Sequence, residues 1–130
     1  MPLFRPLLSI LLWLLLVARL DAQRLLPVKN VTLRGSHVCA LLDGGRAKCW
    51  GWNSYGQLGQ GHTNYVGKVP NQMGDNLPAI DLGTGKTAVQ LAFGGTFHTC
   101  ALLNDGTAKC WGGNDYGQLG QGNTNGIGGG

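Results

Sequence analysis

Glutamate is absent from the 130 residues, and charged residues of every kind make up only 12%. The carboxylate side chains are all aspartates, and no two of them form a pair placed for acid–base catalysis. No nucleophile–base set is visible either, so a hydrolase has no support. Lysine and arginine form no cluster and the net charge is a modest +4, so charge gives no sign of nucleic-acid binding. No apolar run reaches the roughly 20 residues that a membrane-spanning helix needs. No two cysteines stand about two to four residues apart, the spacing a structural zinc site favours. These absences leave no catalytic residue, no cofactor site and no metal site to name.

The longest apolar run, residues 7–18 (LLSILLWLLLVA), is preceded by Arg5 and closed by Arg19. Its length fits the h-region of a secretory signal peptide, about 7–15 residues. Ala22 before Gln23 offers a small residue for cleavage, although Leu20 is larger than the usual residue two places earlier. Residues 1–22 are therefore expected to be a signal peptide, helical over residues 7–19 and packed poorly on the rest. Residues 23–130 would be the mature chain, secreted or in the secretory lumen, with no membrane contact after cleavage. An uncleaved signal anchor is the competing reading. Without residues 1–22 the net charge is +3.

What the chain has in abundance is glycine, with 23 residues. Glycine costs about 1 kcal/mol relative to alanine inside a helix, which argues against a helical bundle. It suits short strands joined by tight turns. The chain is also internally repeated. His37-Val38-Cys39-Ala40-Leu41-Leu42 returns as His98-Thr99-Cys100-Ala101-Leu102-Leu103. Ala47-Lys48-Cys49-Trp50-Gly51 returns at Ala108–Gly112, and Tyr55-Gly56-Gln57-Leu58-Gly59-Gln60-Gly61 returns at Tyr116–Gly122. All three blocks repeat at an offset of 61 residues. The cores of the two units span residues 31–61 and 78–122. In the second unit the stretches Pro78–Leu82, Thr87–Phe93, Thr96–Leu103 and Thr107–Gly112 read as strands divided by turn residues. Four short strands per unit is the blade of a β-propeller. The expected fold is all-β: a partial propeller of two four-stranded blades behind the signal-peptide helix.

The His-x-Cys-Ala-Leu-Leu block, followed by Cys-Trp-Gly-x-Asn-x-Tyr-Gly-Gln-Leu-Gly-x-Gly, resembles the regulator of chromosome condensation repeat. The resemblance covers nearly all of residues 31–130 and implies a seven-bladed propeller as the parent fold. It implies no activity by itself, because function lives in sites rather than folds. A propeller needs about four to eight blades to close, and the sequence stops in the glycine run Gly126–Gly130. The expectation is a fragment completed by the remaining blades of a longer parent chain; self-association of copies is the alternative.

The four cysteines can be placed by hairpin register. Asn104-Asp105-Gly106 makes a three-residue loop with glycine at the left-handed position, a common hairpin type. Leu103 then pairs with Thr107, which sets Cys100 opposite Cys110. Asp43-Gly44-Gly45 likewise sets Cys39 opposite Cys49. Opposed Cα atoms lie about 4.5–5.5 Å apart, within the range of about 4.4–6.8 Å that a disulfide accepts. A secretory route would oxidise both pairs; a reducing compartment would leave four buried thiols.

Other tempting features have plainer readings. His37 and His98 read as structural residues of the repeat, and His62 falls where the second unit has Asn123. Gly83-Thr84-Gly85-Lys86-Thr87 has Ile80 where a phosphate loop needs glycine, and it leads into a strand, so it reads as a β-turn. Trp50, Trp111, Tyr55 and Tyr116 recur in register and read as inter-blade packing. Asn53-Ser54-Tyr55 and Asn114-Asp115-Tyr116 open glycine-rich loops of the kind that meet partners. Asn30-Val31-Thr32 is the one N-glycosylation sequon, usable if its strand edge is exposed. The function expected is a non-enzymatic protein-interaction module with an unidentified protein partner. Guanine-nucleotide exchange on a small GTPase, which the resemblance implies, is the alternative, as is a secreted enzyme inhibitor.

Overall fold

Turn-forming residues every few positions cut this chain into short strands, and the computed structural model describes residues 9–15 and 27–128. Strands β1 (Val28–Arg34), β2 (His37–Leu42) and β3 (Ala47–Gly51) form one antiparallel sheet in that order. Strands β4 (Ala88–Phe93), β5 (His98–Leu103) and β6 (Ala108–Gly112) form the second. The fold is all-β, two adjacent propeller-type blades.

The hairpins form as their turn chemistry dictates. Leu103 N–H donates to the Thr107 carbonyl (2.8 Å), and Gly106 takes the left-handed φ of 83°. Leu42 N–H donates to the Arg46 carbonyl (2.8 Å) in the first blade, where Gly44 is left-handed at 78°. The resulting ladders pair Cys39 with Cys49 and Cys100 with Cys110. The 83–86 segment is the expected β-turn, closed by Lys86 N–H on the Gly83 carbonyl (3.1 Å). An ion pair between Lys86 and Asp105 fastens that turn to the β5–β6 hairpin.

Pro78–Leu82 departs from expectation, since it is not a ladder strand. It crosses from one sheet to the other. Ile80 N–H donates to the Ala47 carbonyl of the first sheet (2.8 Å), while the Leu82 carbonyl accepts from Lys109 of the second (2.8 Å). Pro78 also lacks an N–H to give a ladder. The segment acts through its side chains instead, with Ile80 and Leu82 buried in the core. The fourth strand position of each blade is held by a single bridge, Gly51 to Val66 and Gly112 to Ile127. Each sheet is therefore three strands plus one bridging residue.

One hydrophobic core joins both blades. It holds Cys39, Leu41, Ala47, Cys49 and Leu58 of the first with Leu91, Ala101, Leu103 and Trp111 of the second. The two repeats differ in one register detail. The β1–β2 connection is one residue shorter than the β4–β5 connection. Val31 and Leu91 therefore both pair with the alanine of the next strand, and Leu33 matches Phe93.

Near the N-terminus residues 9–15 are helical, and Ile10 to Leu15 are more than half exposed. The rest of the expected signal peptide, with its cleavage point, lies outside the described residues. Among the described residues no helix is long and apolar enough to cross a membrane.

Candidate interaction surface

The loop after β3 is shaped by Asn53, which the repeat conserves as Asn114. Asn53 is fully buried, donates to the carbonyls of His62 (2.7 Å) and Asn64 (3.0 Å), and accepts from Leu58 N–H (2.9 Å). Asn114 makes the same three bonds, to Asn123, Asn125 and Leu119, each 2.9 Å. A carboxamide is the side chain that can donate twice and accept once here. The repeated asparagine is thus a loop clamp.

The clamped loop of the first blade presents its Gln57 carbonyl to the second. The Trp111 indole N–H donates to that oxygen (2.9 Å), and so does the Thr99 hydroxyl (2.9 Å). Because the Thr99 hydrogen is spent there, its oxygen accepts from His37 Nε2 (3.1 Å). That assigns the proton of His37 to Nε2 and leaves Nδ1 buried with no partner. Gly59 packs on the same indole: a Cβ there would lie 2.7 Å from Trp111 Nε1, whereas a Cβ on Gly120, its copy, meets nothing within 4 Å. Both glycines are left-handed, at φ 66° and 70°. Gly59→Ala and Gly120→Ala therefore share the backbone penalty of about 1–2 kcal/mol. Gly59→Ala is expected to cost about 1–3 kcal/mol more from overpacking, measured by urea denaturation of the two variants.

Burial, and secondarily the neighbouring His98, lowers the pKa of His37. Burial lowers that of His98 too. Both residues are therefore held neutral in the fold. A depressed histidine pKa means the unfolded chain takes up protons first as pH falls. Stability should be full above about pH 6.5, the unfolded histidine value. It should decline as pH falls from there through the lower folded values. Denaturation midpoints between pH 8 and pH 5 check this, and a flat profile would contradict the neutral buried assignment.

At the end of the sheets away from the hairpin loops, four aromatic rings gather. Tyr55 lies 4.9 Å from Phe97, and Trp52 lies 5.7 Å from each of them between ring centroids. The Trp52 indole donates to the Tyr65 hydroxyl (2.8 Å), which also bonds Ser54 (3.0 Å). These bonds, Ser54 first, hold the Tyr65 phenol below its ordinary pKa. Lys68 sits over the Tyr65 ring at 5.3 Å. Tyr55, Tyr65 and Phe97 are each at least 40% exposed. Beside them lies an open hollow of about 470 Å³ lined by Ser36, Gly51, Trp52, Tyr65 and Lys68.

Sequence reasoning placed Tyr55 in inter-blade packing, and it does touch Phe97 of the second blade. Trp111 is buried at the blade joint, while Trp50 is half-buried against the core and Tyr116 is 94% exposed. Trp52, Tyr65 and Phe97 were missed because they are not repeated. Their partners at the 61-residue offset are Gly113, Gly126 and Ser36. Departure from the repeat was the signal that would have found them.

The cysteine pairs lie within the hairpins, Cα atoms 4.1 Å apart in both, with sulfurs at disulfide distance. Asn30 is exposed on β1, an edge strand. His62 serves its own loop, where its Nδ1 accepts from Asn64 N–H (3.2 Å). Among the described residues no group of three histidine, cysteine or acidic side chains is placed to hold a metal.

Comparison with known proteins agrees with this architecture. The Regulator of chromosome condensation (RCC1) repeat matches residues 35–57 and 88–118. Protein RCC2 homolog of Danio rerio is 35% identical over 88 residues, covering 68% of this chain and 16% of that protein. The E3 ubiquitin-protein ligase HERC2 of Homo sapiens is 29% identical over 109 residues, covering 83% of this chain and 2% of that protein. The chain thus spans a small part of the relatives it matches. Human WBSCR16 superposes with a TM-score of 0.59 at 27% identity, over 80% of this chain and 25% of that one. Prp20p from Saccharomyces cerevisiae shares the fold, with a TM-score of 0.52 at 23% identity over 71% of this chain and 20% of that one. Two blades of one continuous core, the duplicated asparagine clamp and these matches agree: the chain is a protein of regulator of chromosome condensation (RCC1) repeats.

Proposed function

We propose that this chain is a non-enzymatic protein-interaction module of a β-propeller, made in the secretory pathway, that contacts its partner through the aromatic end of the first blade. One observation carries the proposal. Trp52, Tyr65 and Phe97 are aromatic where the repeat has glycine or serine, and they converge with Tyr55 and Lys68 on one exposed surface. Inter-blade packing does not require them, and exposed tryptophan and tyrosine are the residue types that carry binding energy at protein interfaces. A signal peptide over residues 1–22 supplies the oxidising route, in which Cys39–Cys49 and Cys100–Cys110 close as disulfides. The exposed sequon at Asn30 then takes a glycan.

Protein purified from culture medium tests the reading. Its N-terminal sequence should begin near Gln23, and retention of Met1 would sink the signal-peptide assignment. Guanine-nucleotide exchange on a small GTPase is the competing function, motivated by the repeat family. Mixed with a nucleotide-loaded GTPase, the chain should leave nucleotide release unchanged. Stimulated release would overturn the interaction-module reading.

A further inference from the structure

The two blades expose their neighbours' contacts unequally. In the first blade the face turned toward the second carries Cys39, Cys49, Leu41 and Ala47, all 5% exposed or less, and the Gln57 carbonyl. The matching trailing face of the second blade carries Cys100, Cys110, Leu102, Ala108 and the Gln118 carbonyl. There Leu102 is 40% exposed and Ala108 is exposed. Tyr116 is 94% exposed, where Tyr55 is 40%. The leading face of the second blade buries Ala88, Leu91, Leu103 and Trp111 against the first. The matching leading face of the first blade is apolar and open: Val28 is 55% exposed, Val31 48% and Leu33 70%, and Leu42 and Trp50 are half-buried.

We infer that a second copy of this chain seats its leading face on the trailing face of the first, repeating between molecules the joint that exists within each. The complementarity is residue for residue. Val28 stands for Ala88, Val31 for Leu91, Leu33 for Phe93, Leu42 for Leu103 and Trp50 for Trp111. Trp50 brings the indole N–H that the Gln118 carbonyl is placed to accept, and Gly120 leaves the room that Gly59 leaves for Trp111. Two positions differ. Val38 replaces Thr99 and Ser36 replaces Phe97, so the joint between copies lacks the hydroxyl bond and one aromatic contact of the internal joint. It is therefore the weaker of the two and forms with rising concentration. Because the two faces are different surfaces, the contact is head-to-tail and adds further copies until a ring closes.

Light scattering on the full chain across a concentration series tests this, with two single-face variants. Leu33→Asp puts a charge on the leading face at a solvent-exposed position. Gly120→Ala puts a methyl where the incoming Trp50 must lie. The natural chain should rise in mass beyond two chains with concentration. Each variant alone should stay a single chain, and their equimolar mixture should give a two-chain particle and nothing larger, since one leading and one trailing face remain intact. Val31→Asp should reproduce Leu33→Asp, and circular dichroism with a sharp melt verifies that each variant is folded. A natural chain that stays single at every concentration would overturn the inference and leave the trailing face to a further repeat of a longer polypeptide. Variants that assemble like the natural chain would overturn it by placing the contact elsewhere.

Discussion

Replacing Trp111 by alanine is expected to cost about 3–5 kcal/mol, the usual range for deleting a buried tryptophan side chain. The total stability of a small domain is about 5–15 kcal/mol, so this one change should bring the fold near its threshold. Trp111 is 5% exposed at the joint between blades, and its N–H holds the Gln57 carbonyl. Its loss opens a cavity on which Gly59, Leu58 and the crossing segment with Ile80 and Leu82 converge. Trp50 has the same sequence context but faces outward from the first blade and is only half-buried. Trp50→Ala in dilute solution should therefore cost distinctly less. Urea denaturation followed by far-ultraviolet circular dichroism gives both values, and equal losses would contradict the assignment of Trp111 to an internal joint.

Reduction of the two cysteine pairs is the second large effect. Each pair is ten residues apart in sequence. For loops this short the chain-entropy treatment gives about 3 kcal/mol per cross-link. The two sites should not respond alike to reductant. Cys39 and Cys49 are fully buried between the blades, whereas Cys100 and Cys110 are partly exposed on the trailing face. Thiol–disulfide exchange needs access to a sulfur. Mild reductant should open Cys100–Cys110 first, with Cys39–Cys49 following once the blades separate. Alkylation and peptide mapping at increasing reductant concentration checks the order. Free thiols at all four positions in protein taken from the medium would refute the oxidised assignment.

Much of this fold could be read from the residues because the chain states its pattern twice. The Cys39/Cys49 and Cys100/Cys110 register follows from hairpin loop length, and loop length is local information. Pro78–Leu82 read as a strand because it is a short apolar stretch, yet its backbone bonds go to two different sheets. A local pattern cannot tell a strand that pairs from a strap that packs. The likeness of β1 to β4 was also hidden. Their residues differ, and the shorter β1–β2 turn breaks the 61-residue offset, so Val31 and Leu33 declared their roles only through pairing. The aromatic end was illegible for the opposite reason. Repetition drew attention to Tyr55 and Tyr116, while the ring partners Trp52, Tyr65 and Phe97 occur once each and meet only in three dimensions.

The most direct test of the interaction surface is site-specific photo-crosslinking in the full secreted chain. A photoreactive phenylalanine at Ser54, exposed and bonded to Tyr65, samples the aromatic end. The same probe at Arg46, exposed at the hairpin end of the same sheet, samples the opposite side. The expected result is a discrete protein adduct from Ser54 that is absent from Arg46 and lost when Trp52 and Tyr65 are both changed to serine. Adducts of equal yield and identity from both positions, or an adduct from Ser54 that survives loss of both rings, would contradict it.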